Sequence, residues 1–241
     1  MRHRAPGGAD QCLAFTDVTQ VDNRSPYAHP AAEAWAQRVG GRVGAEAAKV
    51  LFSMPRGNLV PLDYRTRTLH IKRRLPGAAR VARSLETAQK DRKSVDATEW
   101  TFAKEIVLLD ARLKKEPAAD VEVQAIQVGP AVFVANPAEY FCQYGLDIKS
   151  GSPFPFTFPV ELANDCVGYV PTEEALGPRG GGYETRLTYY SNLELTAGRQ
   201  IADAGIALAR ELTPGPVPEP PPAPPFKAGP WSYGNVPPEL E

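Results

Sequence analysis

The sequence predicts an α/β fold, a mixed α+β layered domain in which helices and strands alternate along the chain. Three observations predict it. Apolar residues recur at helical spacing in several segments, they alternate or form short runs in others, and Gly-Pro or Asn-Pro pairs mark the boundaries. The 241 residues are 43% hydrophobic and 23% charged, which is enough to bury the core of one domain or of a tight pair.

Charge and apolar patterning exclude several functional classes. The formal net charge of −1 leaves no footprint for nucleic acid or for a charged membrane surface. No apolar run approaches the roughly 18 residues of a membrane span, and the basic start "MRHRAPGGADQC" lacks the apolar core of a secretory signal. Cys12, Cys142 and Cys166 have no metal-ligand spacing, and their odd number argues against a complete disulfide framework, although a single bridge stays open.

The first half of the chain contains three predicted helices and one predicted strand. The spacing of apolar residues predicts a helix over Pro30 to Met54, and alternation predicts a half-buried strand over Val60 to Arg74. Two charged helices follow, over Ala78 to Lys90 and Thr98 to Lys115. The core stripe of the second of these is predicted to be Trp100, Phe102, Ile106, Leu109 and Leu113.

Two strand signals come next, and the second leads to a candidate carboxylate. "VEVQAIQVG" and "AVFVAN" are separated by Gly129-Pro130, which favours a turn. The chain then passes through Asn136-Pro137 into a predicted helix, with Glu139 in its first turn, where free N–H groups and the helix dipole favour an ionised carboxylate.

The segment "NDCVGYVPTEEA" combines a strand end with a predicted helix cap. Thr172 is expected to cap a helix that Glu173 and Glu174 begin. That accounts for these three residues but not for Tyr169, which stands at the end of a short apolar strand, where sites in mixed folds tend to form. Cys166 is expected to pack as a small core residue.

A change of composition marks the C-terminus. From Thr213 the chain reads "TPGPVPEPPPAPPFKAGPWSYGNVPPELE", in which prolines remove backbone donors and favour extended segments. We interpret residues 213–241 as a tail or linker, with a ligand for an SH3-like or WW-like partner as the functional alternative.

Two of these segments together resemble a known enzyme family. The strand "QVGPAVFVAN" entering "PAEYF", the segment "LANDCVGYVPTEEA", the later "GGGYETR" and a long last helix resemble the C-terminal half of the catalytic domain of the neutral/alkaline, non-lysosomal ceramidases. The family's Pro-Gly-Glu step is Pro137-Ala138-Glu139 here, and Cys166 replaces the first tyrosine of its signature. The resemblance covers residues 15–212 and leaves 1–14 as a ragged start.

The resemblance implies a zinc-dependent amidase that splits ceramide, an N-acyl sphingoid base. Carried over by position, the zinc ligands within this chain are Glu139 and Tyr169, and Tyr183 lines the site as a hydrogen-bond donor to developing charge. The glycine run before Tyr183 suggests a flexible loop over the site. The family also implies an exported or membrane-associated protein, whereas this chain shows no signal for it, and the acyl substrate stays open.

The remaining ligands that the family uses are two histidines from its N-terminal half. His3, His29 and His70 lack that context and are predicted to be structural or solvent-facing. We therefore expect a truncated or split gene product, or a mistaken start, that is inactive alone. The alternative is a non-catalytic lipid- or protein-binding relative on the same scaffold, and a third interpretation takes the resemblance as fortuitous.

Overall fold

The computed structural model describes residues 32–54, 57–219 and 238–241, and it has the mixed α/β architecture that the sequence predicts. The helices are α1 (Ala32–Ser53), α2 (Ala78–Ala88), α3 (Ala97–Leu113), α4 (Cys142–Gly151) and α5 (Ala197–Arg210). The strands are β1 (Leu62–Lys72), β2 (Ala118–Val128), β3 (Ala131–Ala135), β4 (Ala138–Tyr140), β5 (Phe156–Val160) and β6 (Gly168–Val170). The predictions for residues 1–14, His3, His29 and Cys12 lie outside the described residues.

Four strands form the main sheet in the order β1-β2-β3-β5. The first two pairings are antiparallel, and β3 pairs with β5 in parallel. Alternate residues of β2 and β3 point to one face, where Val121, Val123, Val132 and Val134 are buried under α5. Since strand side chains alternate between faces, the core lies on this side of the sheet, with α4 packed beside α5.

The opposite face of the sheet carries a row of apolar side chains in register. Tyr64 of β1 pairs with Ile126, Ile126 with Phe133, and Phe133 with Phe158. Their exposed fractions run from 37% for Phe133 to 66% for Tyr64, and the rings of Phe133 and Phe158 stack with centroids 5.1 Å apart. This face therefore stays open to solvent.

Helices α2 and α3 pack against each other beside the sheet. The carboxylate of Asp96 caps α3 by accepting hydrogen bonds from the N–H groups of Thr98 and Glu99. The buried residues of α3 are Ala103, Ile106, Leu109 and Leu113. The predicted core stripe is correct for Ile106, Leu109 and Leu113. Trp100 and Phe102 are only half-buried, and cationic side chains lie over their rings: Lys104 over Trp100 and Arg186 over Phe102.

The predicted helix over 30–54 is confirmed as α1, but its apolar side chains from Val43 onward are exposed, with Val50 and Leu51 each more than half accessible. None of the helices in the described part of the chain has the length and hydropathy of a membrane span.

The first residues of the predicted C-terminal tail are hydrogen-bonded to the main sheet and its β2–β3 turn. The side-chain amide of Gln127 donates to the carbonyl of Thr213, and the Gly215 N–H donates to the Gly129 carbonyl.

Two local predictions are wrong. Glu139 lies in strand β4 and not in the first turn of a helix, since α4 begins only at Cys142. The chain stays extended because the Asn136 side chain accepts from the Ala138 N–H, and the Tyr140 N–H donates to the carboxylate of Glu161.

The helix expected after Thr172 is a turn. The Thr172 hydroxyl does accept the Ala175 N–H, as a cap would. The segment stops after this single turn because Pro178 disfavours a helical residue before it and has no N–H, and the Gly181 N–H bonds back to the Ala175 carbonyl.

Candidate active site

A two-stranded parallel ribbon, β4 with β6, brings the candidate ligands together. Glu139 and Tyr169 are direct partners in its register, although 30 positions separate them in the sequence. Ala138, Tyr140 and Val170 on either side of them are buried, whereas Glu139 and Tyr169 are half-buried. Because neighbours along a strand face opposite ways, the carboxylate and the phenol share the outer face of the ribbon.

Tyr190 completes the ribbon from a loop that precedes α5. Its hydroxyl donates to Oε1 of Glu139 at 2.5 Å, and its backbone carbonyl accepts the Tyr169 N–H at 3.0 Å. This close approach requires Gly168, which has φ +84°, since a Cβ there would lie 1.7 Å from the Tyr190 carbonyl oxygen. Tyr190 therefore holds the backbone of Tyr169 and the carboxylate of Glu139.

Two further tyrosine rings flank Tyr169. The ring of Tyr169 meets those of Tyr183 and Tyr190 edge to face, with centroids 5.6 Å and 5.2 Å away. Burial raises the pKa of Tyr169, and hydrogen bonds to Tyr183 and the nearby charge of Glu139 raise it further. Burial also raises the pKa of Tyr190, followed by its hydrogen bonds to Cys166 and Glu139. Both phenols are therefore neutral at neutral pH.

The structure brings the three predicted site residues, Glu139, Tyr169 and Tyr183, into one cluster. Tyr190 and Cys166 also belong to this cluster, although the sequence pattern does not predict them as site residues. Tyr183 lies in a short 3₁₀ helix, Tyr183–Thr185, directly after the glycine run. Nothing in the local pattern "LTYYSN" marks Tyr190, because its role depends on a contact 51 residues away in the sequence.

The expectation that Cys166 packs in the core is wrong. It is exposed, with Sγ 3.1 Å from the Tyr190 hydroxyl. The cause is local, since Asn164 has φ +65° and the Asp165 side chain accepts the Cys166 N–H, which turns this segment out of the sheet. His70 is exposed, as predicted, and its Nδ1 lies 2.7 Å from a carboxylate oxygen of Asp120 on the main sheet.

Glu139 and Tyr169 suit part of a zinc shell. They offer two adjacent oxygen donors of kinds that bind zinc, and both face outward from the ribbon. Among the described residues, no three His, Cys, Asp or Glu side chains lie close enough to hold a metal ion together. The pair could supply at most two ligands of a metal site, and further ligands would be needed to complete it.

No family model matches the chain, and no curated protein matches it. Two ceramidases are among the solved structures that are similar to it. One is a neutral ceramidase from Pseudomonas aeruginosa, with 15% identity and a TM-score of 0.47 over 76% of this chain and 34% of that one. The other is a ceramidase complexed with C2, with 17% identity and a TM-score of 0.49 over 76% of this chain and 36% of that one. The chain thus spans about a third of their length.

Proposed function

We propose that this chain carries part of the active site of a zinc-dependent amide hydrolase of the neutral ceramidase type. Glu139 and Tyr169 are the two oxygen ligands that it contributes, and Tyr183 is the hydrogen-bond donor beside them. The observation that carries the proposal is the direct pairing of Glu139 with Tyr169 on adjacent strands, with the ring of Tyr183 against Tyr169. The motifs "PAEYF", "NDCVGYVPTEEA" and "GGGYETR" supply the chemical identity through their resemblance to that family.

A zinc ion held there would supply a Lewis acid for the amide carbonyl and would lower the pKa of a bound water. The Tyr190 hydroxyl fixes the orientation of the Glu139 carboxylate by donating to Oε1, as outer hydrogen bonds do for metal ligands. Tyr169, whose pKa is raised, would have to lose its proton to become a ligand, so zinc affinity would rise with pH.

Tyr183 is suited to stabilise charge on the substrate. Its side chain is 55% exposed and stands at the edge of the Tyr169 ring, where its hydroxyl can reach a carbonyl oxygen presented from the solvent side. A preset donor of this kind stabilises the charge that develops on the amide oxygen during hydrolysis. The proposed substrate is an N-acyl lipid such as ceramide, whose chain gains about 0.8 kcal/mol per buried methylene from any apolar cleft.

A firm zinc site needs ligands beyond Glu139 and Tyr169. The resemblance implies two histidine ligands from the half of the family's domain that precedes the matched motifs. Two oxygen ligands hold zinc weakly, so this chain alone is expected to hydrolyse no amide. The proposed partners of the complete site are the lipid substrate and the surface of the membrane that contains it.

The test measures zinc-dependent release of fatty acid from N-acyl sphingosine. We expect no turnover by the 241-residue chain and turnover by a protein extended with the family's preceding half. In the extended protein, Glu139→Gln and Tyr169→Phe should each lower kcat/KM by about 100-fold or more. The matched controls are Glu86→Gln and Tyr64→Phe, which change an exposed side chain of the same type on α2 or the main sheet.

Turnover by the short chain would contradict the assignment of a partial site. An extended enzyme that is indifferent to Glu139→Gln and Tyr169→Phe would contradict the ligand assignment. A zinc-loaded extended protein without amidase activity would instead support the non-catalytic relative.

A further inference from the structure

A cavity lies between α2 and α3, and neither Glu139 nor Tyr169 lines it. Its volume is about 440 Å³, within the usual range for small-molecule sites. Arg80 and Arg83 of α2 and Lys90 after it line one side. Phe102 and Ile106 of α3 form part of the other side.

The charge of the lining is strongly one-sided. Four cationic side chains, Arg80, Arg83, Lys90 and Arg186, face a single carboxylate, that of Glu99. Glu99 is already occupied, because both terminal nitrogens of Arg186 donate to its Oε1 at 3.1 Å. This local excess of positive charge contrasts with the net charge of −1 for the whole chain.

Among the described residues, the remaining three cations have no acidic partner. Within the described residues, neither Arg80, Arg83 nor Lys90 takes part in a salt bridge. Arg80 and Arg83 are one helical turn apart, and Ser84 and Thr87 continue the same face of α2 into the cavity with two hydroxyl groups. Several donors thus converge on a space whose lining has one carboxylate, Glu99, which is already paired.

The floor of the cavity is apolar. Phe102, Ala103 and Ile106 of α3 line it, together with Val95. The guanidinium of Arg186 lies 3.6 Å from the centroid of the Phe102 ring, so the apolar floor and the cationic rim meet directly. A small inorganic anion would use only the rim, whereas a neutral apolar molecule would leave the cations without a counter-charge.

We propose that this cavity binds an amphiphilic anion, that is, a carboxylate or phosphate head group on a short apolar chain. The head group accepts hydrogen bonds from Arg80, Arg83 and Lys90, and the chain lies on Phe102 and Ile106. Charge-assisted bonds to guanidinium groups give the head group its position, and burial of the chain adds affinity. This inference stands independently of the proposed amidase function.

The test is isothermal titration of the 241-residue protein with four probes: decanoate, decyl phosphate, decanol and inorganic phosphate, all below their micellar concentrations. We expect the two amphiphilic anions to bind, with at least tenfold weaker binding by decanol and by inorganic phosphate. Comparison of decanoate with decyl phosphate identifies the head group that the cavity prefers.

Two double variants locate the binding. Arg80→Gln with Arg83→Gln should weaken decanoate or decyl phosphate binding about tenfold or more. The control, Arg42→Gln with Lys115→Gln, removes two charges from exposed positions outside the cavity and should bind like the parent. Circular dichroism checks that both variants keep the parent fold.

Equal weakening in both double variants would overturn the proposal, because it would show a general charge effect. Inorganic phosphate that binds as tightly as decyl phosphate would overturn the amphiphile assignment. Binding to vesicles of anionic phospholipid, with none to the monomeric probes, would overturn it in favour of a membrane surface.

Discussion

Gly198 of α5 offers a sharp test of how the core is packed. A Cβ built at this position lies 2.1 Å from Cε2 and 2.3 Å from Cζ of Tyr144, about 1.3 Å short of the 3.4 Å at which ordinary contact begins. Tyr144 is 1% exposed and stacks on Tyr140 with centroids 4.9 Å apart. The backbone is held as well, because the Tyr140 hydroxyl donates to the Gly198 carbonyl.

Gly198→Ala must therefore displace a ring that has no free volume. Overpacking of this kind costs about 1–3 kcal/mol or more, and the better helix propensity of alanine offsets at most about 1 kcal/mol. We expect a net loss of about 2 kcal/mol in the free energy of unfolding, which corresponds to a fall in Tm of about 4–8 °C for a chain of this size.

Urea denaturation followed by circular dichroism measures this loss. Gly44→Ala is the matched control, since a Cβ on α1 meets nothing within 4 Å and should cost no stability. Tyr144→Phe should not rescue Gly198→Ala, because it removes the hydroxyl and leaves the two clashing ring carbons. A Gly198→Ala protein as stable as the parent would refute the packing of α5 against α4.

Two further predictions concern the helix cap and alkaline pH. Asp96→Ala removes the side chain that accepts hydrogen bonds from two N–H groups at the start of α3, so the free energy of unfolding should fall by about 1 kcal/mol. The slope of the unfolding free energy against urea concentration should stay the same, so the urea midpoint should fall. An unchanged midpoint would contradict the cap. Tyr169 and Tyr190 have raised pKa values in the folded state, so their contribution to stability is complete below the ordinary tyrosine value of 10.0 and is lost as pH rises above it. Absorbance at 295 nm should accordingly show these phenols ionising only as the protein unfolds, and Tyr169→Phe should make unfolding less steeply dependent on pH there; normal titration of every tyrosine in the folded protein would contradict this.

The sequence was sufficient for elements with a strong period. The alternation over 60–74 and the apolar stripe over 98–115 predict β1 and α3 to within a few residues, because burial on one face dictates both patterns. The prediction of a helix at Glu139 was wrong because its strand is only three residues long and is stabilised by partners that lie far away in the sequence. A strand of three residues is too short to produce a recognisable alternation of apolar and polar residues.

The candidate site shows the same limit. Motif resemblance was sufficient to select Glu139, Tyr169 and Tyr183, and the structure brings all three together. Tyr190 could not be selected, since its position next to Glu139 arises from a loop that folds back over Gly168. The exposure of Cys166 likewise follows from two turn residues, Asn164 and Asp165, whose backbone angles the hydrophobic pattern does not encode.

The pairing of β4 with β6 has a consequence for how the site can change over evolution. Backbone pairing and the buried neighbours Ala138, Tyr140 and Val170 fix the backbone positions of Glu139 and Tyr169. New side chains at these two positions would thus still be presented side by side on the outer face of the ribbon. A single codon change at either position can therefore alter the chemistry of this face while the strand pairing is kept.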